Sequence, residues 1–231
     1  MPWTPPSTPS LVLFLLVVLA VVAMLAQGLR RAAPDRLGLV LGLLLGWMGV
    51  TAGLASSGVL EAALPASIPP FMLACVGLGV GLALSPVGRA LATLPLAALV
   101  GFQGFRLPLE VVLHQWATEG VIPVAMSWSG RNLDVVTGVL ALLLIVPLRG
   151  PMTRRRVFIA QGFNLVGLLL LLNVMVTALL SSPVPFRRFM DGPPLLLAFH
   201  TPTVWIVPVC VAGAMAGHLV LWRKLAAASR E

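Results

Sequence analysis

Charge is what this chain lacks most: of its 231 residues only 10% are Asp, Glu, Lys or Arg, while 59% are apolar. A soluble domain carries about a quarter charged residues, so this composition argues against a water-soluble globule. Disorder is excluded as well, because disordered chains are poor in apolar residues and rich in charge. Tyrosine is absent, lysine occurs once as Lys224, and cysteine twice, as Cys75 and Cys210. Both cysteines sit inside apolar runs, where they read as small buried hydrophobes and not as a disulfide framework. With tyrosine missing and every connection short, the net charge of +8 gives no reason to expect nucleic acid as a partner. Arginines that orient a membrane protein account for it instead.

What is present is apolar sequence in seven runs, about 10–28, 37–57, 70–86, 90–115, 122–148, 156–180 and 195–222. A bilayer core needs roughly 20 apolar residues per helical span. The expected fold is therefore all-α, a single polytopic helix bundle over residues 1–231 whose main partner is the lipid bilayer. Met1 to Ser10 carries no positive charge, and the first run ends in Gln27-Gly28-Leu29-Arg30-Arg31. Charge after the run, not before it, reads as an uncleaved anchor with its N-terminus outside.

The positive-inside rule gives the same frame. Arg30, Arg31, Arg36, Arg89, Arg149, Arg154, Arg155, Arg156, Arg223, Lys224 and Arg230 then fall on cytoplasmic segments, and only Arg187 and Arg188 on outer ones. The prediction is seven spans, N-terminus outside and C-terminus cytoplasmic. Trp116, Trp128 and Trp222 fit interfacial positions, whereas Trp47 and Trp205 read as packing residues. Span two carries Gly38, Gly42, Gly46, Gly49 and Gly53, and span seven Gly213 and Gly217. Small residues at such spacing predict close helix packing within the chain, with a homo-oligomer through the same face as the alternative.

The remaining charges gather in two places. Arg106, Glu110 and His114 are four residues apart and share one helical face, with Pro108 between them to kink the helix. The fifth run opens Ser127-Trp128-Ser129-Gly130-Arg131-Asn132-Leu133-Asp134, where Ser129 or Asn132 could cap the following helix. Measured along ideal helices from the inner arginines, Arg106 and Arg131 come to matching heights near the outer face. That geometry predicts crossed ion pairs, Arg106 with Asp134 and Arg131 with Glu110. Asn173 and His200 reach the same level, and His218 falls near the inner end.

Ionisable groups inside spans are costly and mark either function or structural pairing. Two readings stay open: a pocket opening outward, or an outer hairpin over 107–130 whose charges are merely solvated or paired. A three-histidine metal site is excluded, because His200 and His218 are too far apart on an intact last span to share one ion; a His/Asp/Glu site with fewer histidines is a minor alternative, and no metal site is expected. His114 and His200 could serve as axial ligands of a haem b; otherwise no cofactor is indicated.

Phe105-Arg106-x-Pro108-x-Glu110-x-x-Leu113-His114, then Gly130-Arg131-Asn132-x-Asp134-x-x-Thr137-Gly138, together resemble a family of uncharacterised bacterial multi-spanning membrane proteins. Asn164-Leu165-x-Gly167-Leu168-Leu169-Leu170-Leu171-x-Asn173 continues the likeness, which covers roughly 100–224. The resemblance implies an integral protein of the bacterial inner membrane and brings no activity with it. Other seven-span families fit poorly. Lys224 is at the end of the last run and not in its middle, as a retinal protein requires. A paired-histidine hydrolase motif is missing, and Ser127-Trp128-Ser129-Gly130 lacks the first glycine of a rhomboid-like site.

The leading expectation is small-molecule or proton-linked binding or transport. Its polar pocket would comprise Arg106, Glu110, His114, Arg131, Asn132, Asp134, Asn173 and His200. A redox or assembly subunit is the alternative, and an intramembrane enzyme comes last because no nucleophile presents itself.

Overall fold

The computed structural model describes residues 3–228; Arg230, counted above with the inner basic residues, lies outside the described residues. All regular structure among them is helical. Seven helices carry the apolar sequence: α1 (Thr8–Ala32), α2 (Leu37–Ser56), α3 (Ile68–Leu84), α4 (Leu96–Thr118), α5 (Val135–Leu144), α6 (Arg154–Ser181) and α7 (Ala212–Ala228). Five segments are long and apolar enough to cross a membrane: α1, α2 with its leading turn, α4, α6 and Thr203–Ala228. Two, α3 and α5, are shorter. Exposed Leu16, Leu43, Leu143, Leu169 and Leu172 cover the outside of the bundle, as lipid-facing side chains do. This is an apolar helical bundle of the membrane-protein type.

Local chemistry sets the helix ends. The Ser7 hydroxyl accepts from the Ser10 amide at the start of α1, and the Thr153 hydroxyl from the Arg156 amide at the start of α6. Ser85 stops α3, and its hydroxyl accepts from the amides of Val87 and Gly88 to begin the short helix Pro86–Leu91. A break at Thr93–Pro95 then separates Arg89 from α4, so the run expected to be helical from 90 begins at Leu96.

Three expected spans are interrupted, each for a physical reason. Within α4, residues Gln103–Phe105 tighten to a 3-10 turn one turn ahead of Pro108. Pro108 has no amide to offer the Gly104 carbonyl, which is where an irregularity belongs. Span five, expected over 122–148, is helical only from Val135 to Leu144. Its first part, through Asp134, is a partly buried irregular loop in which neither Ser129 nor Asn132 caps α5. Span seven, expected from 195, begins at Thr203 with a 3-10 turn and a π-turn, Val207–Val211, that contains Pro208.

The glycines divide differently from the expectation. A Cβ on Gly38, Gly42, Gly46, Gly49 or Gly53 would meet nothing within 4 Å, so the glycine face of α2 is open and not packed within the chain. Close helix approach happens elsewhere. A Cβ on Gly138 would overlap the backbone of Leu107, and one on Gly217 would lie 2.6 Å from Gln103 Nε2. Gly138 thus sets how near α5 comes to α4.

Two apolar clusters form the core. One is centred on Phe14, Val112, Trp116 and Phe199, the other on Leu29, Val100, Leu148 and Leu221. Along α4, Gln103 and Arg106 fall at their boundary. Trp116, expected at the interface, is instead fully buried and donates its indole N–H to the Ser10 hydroxyl at 3.0 Å. Trp222 is exposed, and Trp205 packs with its N–H on the Met48 carbonyl, 3.0 Å away.

Candidate functional site

Arg106 is the centre of the polar layer. It lies ten residues, about 15 Å, from the Leu96 end of α4 and about 18 Å from the Thr118 end, so it is near mid-helix. The expectation of an outer position counted rise from Arg89 across the Thr93–Pro95 break, where no helix exists. Its guanidinium and the Asp134 carboxylate form a forked pair, Nε to Oδ2 and Nη2 to Oδ1, both 2.5 Å. Both side chains are almost fully buried. The Arg106–Asp134 pair expected from the spacing is therefore present.

A histidine that sequence reasoning placed elsewhere completes this unit. Arg106 Nη1 lies 3.0 Å from His218 Nε2, and His218 Nδ1 lies 2.9 Å from Asn164 Oδ1. Arginine can only donate, so His218 Nε2 accepts, and its Nδ1–H donates to Asn164. The imidazole is thereby held as the neutral Nδ1–H tautomer. Gly167 makes room for it: a Cβ there would overlap the His218 ring. Arg106 Nη1 also reaches the Gly167 carbonyl at 3.5 Å. Arg106 is thus shared among α4, the start of α5, α6 and α7.

Glu110 stands one turn further along α4 and is 1% exposed. The expected partner, Arg131, does not reach it. Arg131 is exposed and its guanidinium sits 5.0 Å over the Phe189 ring. The physical reason is the irregular loop: residue heights along an ideal helix do not apply to 119–134. Glu110 is instead held by Asn132, whose Nδ2 is 2.9 Å from both carboxylate oxygens and 3.1 Å from the Met126 carbonyl. Asn132 Oδ1 in turn accepts from the Asp134 amide at 3.0 Å. One asparagine therefore positions both acids. Gly130 permits the loop to fold this tightly, since a Cβ there would overlap the Val124 carbonyl.

Beside these groups lies a cavity of about 100 Å³. Arg106, Glu110 and Asp134 border it, and almost all the rest of its wall is apolar, including Leu109, Leu113, Val174 and Cys210. Along α6 its wall extends from Leu171 to Leu179 and on to Ser182, and residues 195–199 also line it. The cavity therefore reaches from the polar layer towards the Ser181 end of α6.

The other expected site residues lie apart from this cavity. His114 stacks on Trp128 with ring centroids 4.3 Å apart, its Nδ1 3.4 Å from the Ser129 hydroxyl. Asn173 donates to the Arg131 backbone carbonyl at 2.7 Å, fixing the loop and not a ligand. His200 stacks on Trp3, with Glu61 Oε2 3.9 Å from its Nε2. Burial lowers the pKa of His200 and outweighs the opposing pull of Glu61. Among the described residues no group of three or more His, Cys, Asp or Glu side chains converges as a metal site would require.

A second polar cluster ties the chain's start to the end of α4. Glu119 accepts from the Ser7 amide at 3.0 Å and from the hydroxyls of Ser7 and Ser10 at 2.6 and 3.1 Å. Gln115 Nε2 adds a fourth donor at 3.0 Å. Burial alone would raise the Glu119 pKa, but these hydrogen bonds, those from Ser7 foremost, bring it below the usual carboxylate value. No family model, curated protein or solved structure matches the chain.

Proposed function

We propose that this is an integral membrane protein of seven membrane-embedded segments, N-terminus outside and C-terminus cytoplasmic, that binds a small molecule in the cavity beside Glu110. Eleven basic residues against two support the orientation, and the motif resemblance supports the bacterial inner membrane. The observation that carries the binding reading is one cavity whose wall is apolar except for Ser182 and the three buried charged side chains Arg106, Glu110 and Asp134. A structural ion pair needs no adjoining space; a ligand site does. Glu110 is the group of this site suited to exchange a proton as ligand enters and leaves. Buried, and held by a single amide, it can hold or release the proton without breaking the Arg106–Asp134 pair. Binding coupled to that proton is the activity proposed, and transport follows if the cavity alternates its opening.

The test is photolabelling with an octanol bearing a diazirine on its chain, on protein in lipid nanodiscs, with the labelled residues mapped by mass spectrometry. Label is expected on cavity residues such as Leu113, Val174 and Cys210, and excess 1-octanol should remove it. Label confined to lipid-facing residues such as Leu143, Leu169 and Leu172 would overturn the reading.

A further inference from the structure

When Glu110 releases its proton, the charges around the cavity no longer balance, and that imbalance identifies the ligand's polar end. The guanidinium of Arg106 is directed to Asp134 through two contacts, to His218 Nε2 and to the Gly167 carbonyl. Asp134 is neutralised by that fork, and the hydrogen-bond pattern keeps His218 uncharged. Ionised Glu110 is then one negative charge in excess. Among the described residues the only ion pairs within 4 Å are Arg106–Asp134 and His200–Glu61, so Glu110 has none. Its hydrogen-bonding is also short. Asn132 supplies one N–H to the two carboxylate oxygens, because its other N–H goes to the Met126 carbonyl. A carboxylate accepts at about four lone-pair sites, so acceptor capacity remains on a group that borders an apolar cavity.

We infer that the ligand is an amphipathic amine, a protonated primary ammonium on a slender apolar chain, with the ammonium on Glu110 and the chain along Leu113, Val174 and Cys210. A compact ammonium carries three donors and one positive charge, which match the acceptors and the charge left over at Glu110. An anionic ligand has no such place: the charge of Arg106 is already met by Asp134, and the nearest unpaired charge, Glu110, would repel it. A neutral alcohol would find the apolar wall but would not correct the charge. The cavity, about 100 Å³, encloses only part of an octyl chain, whose far end extends towards Ser182.

This inference rests on the cavity being a binding site, and one experiment separates the two. Competition against the diazirine-octanol label is measured with octylammonium chloride, 1-octanol and sodium octanoate, on wild-type protein and on Glu110→Gln. In the wild type, octylammonium should compete best and octanoate worst. In Glu110→Gln, octylammonium should lose about tenfold in potency while octanol changes by less than about twofold. Comparing each compound across the two proteins cancels its partitioning into lipid. Equal competition by all three compounds, or an octylammonium potency unchanged in Glu110→Gln, overturns the amine while leaving the cavity site standing. Absence of label from the cavity overturns both. Should Glu110→Gln fail to accumulate, the wild-type order decides: octanoate equal to or better than octylammonium contradicts the inference.

Discussion

Arg106 and Asp134 show what a buried charge demands of its surroundings. Removing one partner of such a pair strands the other, at a cost of about 3–5 kcal/mol, whereas replacing both by apolar residues of similar volume is often far milder. Asp134→Asn should therefore lower the thermal unfolding temperature of detergent-solubilised protein strongly, and Arg106→Met with Asp134→Leu should recover part of the loss. An unchanged unfolding temperature for Asp134→Asn would deny the pair its structural role. This pair was legible in the sequence because both residues bear opposite charge inside apolar runs at similar heights. The partnership of Glu110 with Asn132 was not legible: it depends on how the 119–134 loop folds around Gly130, and no periodicity reports that. His218 was missed for a related reason. Its place near the inner end is counted along the last span itself; Arg106 is the residue set too high, by assuming that α4 runs unbroken from Arg89, and the break at Thr93–Pro95 brings it down to the level of His218.

Among the elements, glycine position separates packing from open surface. Gly138→Ala drives a methyl into the Leu107 backbone and should cost about 1–3 kcal/mol as overpacking. Gly46→Ala meets nothing and removes a flexible residue from a helix interior, so it should be neutral or stabilise by up to about 1 kcal/mol. Parallel melting curves check both; equal losses would mean that the α2 face is packed after all. The regular spacing in span two was readable, but which glycines are in contact depends on the placement of helices far apart in sequence. The clasp of Ser7 and Ser10 on Glu119 joins α1 to α4. Its carboxyl titrates below the unfolded value in the fold, so its contribution is present above about pH 4.3 and is lost as pH falls through the folded pKa. Glu119→Gln should accordingly melt lower at neutral pH and converge with the wild type in acid. Parallel curves at all pH values would rule the clasp out.

For the whole molecule, seven apolar runs and their basic flanks were visible at once, and the bundle carries an apolar helix in each. The lengths of those helices were less visible, because a run that is apolar throughout does not reveal where a loop or a π-turn interrupts it, as at 122–134 and 203–211. Topology has a direct check in a background with both Cys75 and Cys210 replaced by serine. A membrane-impermeant maleimide added to intact cells should label Ser129→Cys, and should label Thr93→Cys only after permeabilisation; the reverse would invert the proposed orientation. The claim on which the rest depends is that a molecule occupies the cavity next to Glu110. Ala178 lines that cavity, so Ala178→Phe narrows it without touching the charged layer. Competable diazirine-octanol labelling of Leu113, Val174 and Cys210 should fall at least about tenfold in Ala178→Phe, with lipid-facing label unchanged. Cavity labelling undiminished by Ala178→Phe, or absent from the wild type, would contradict it.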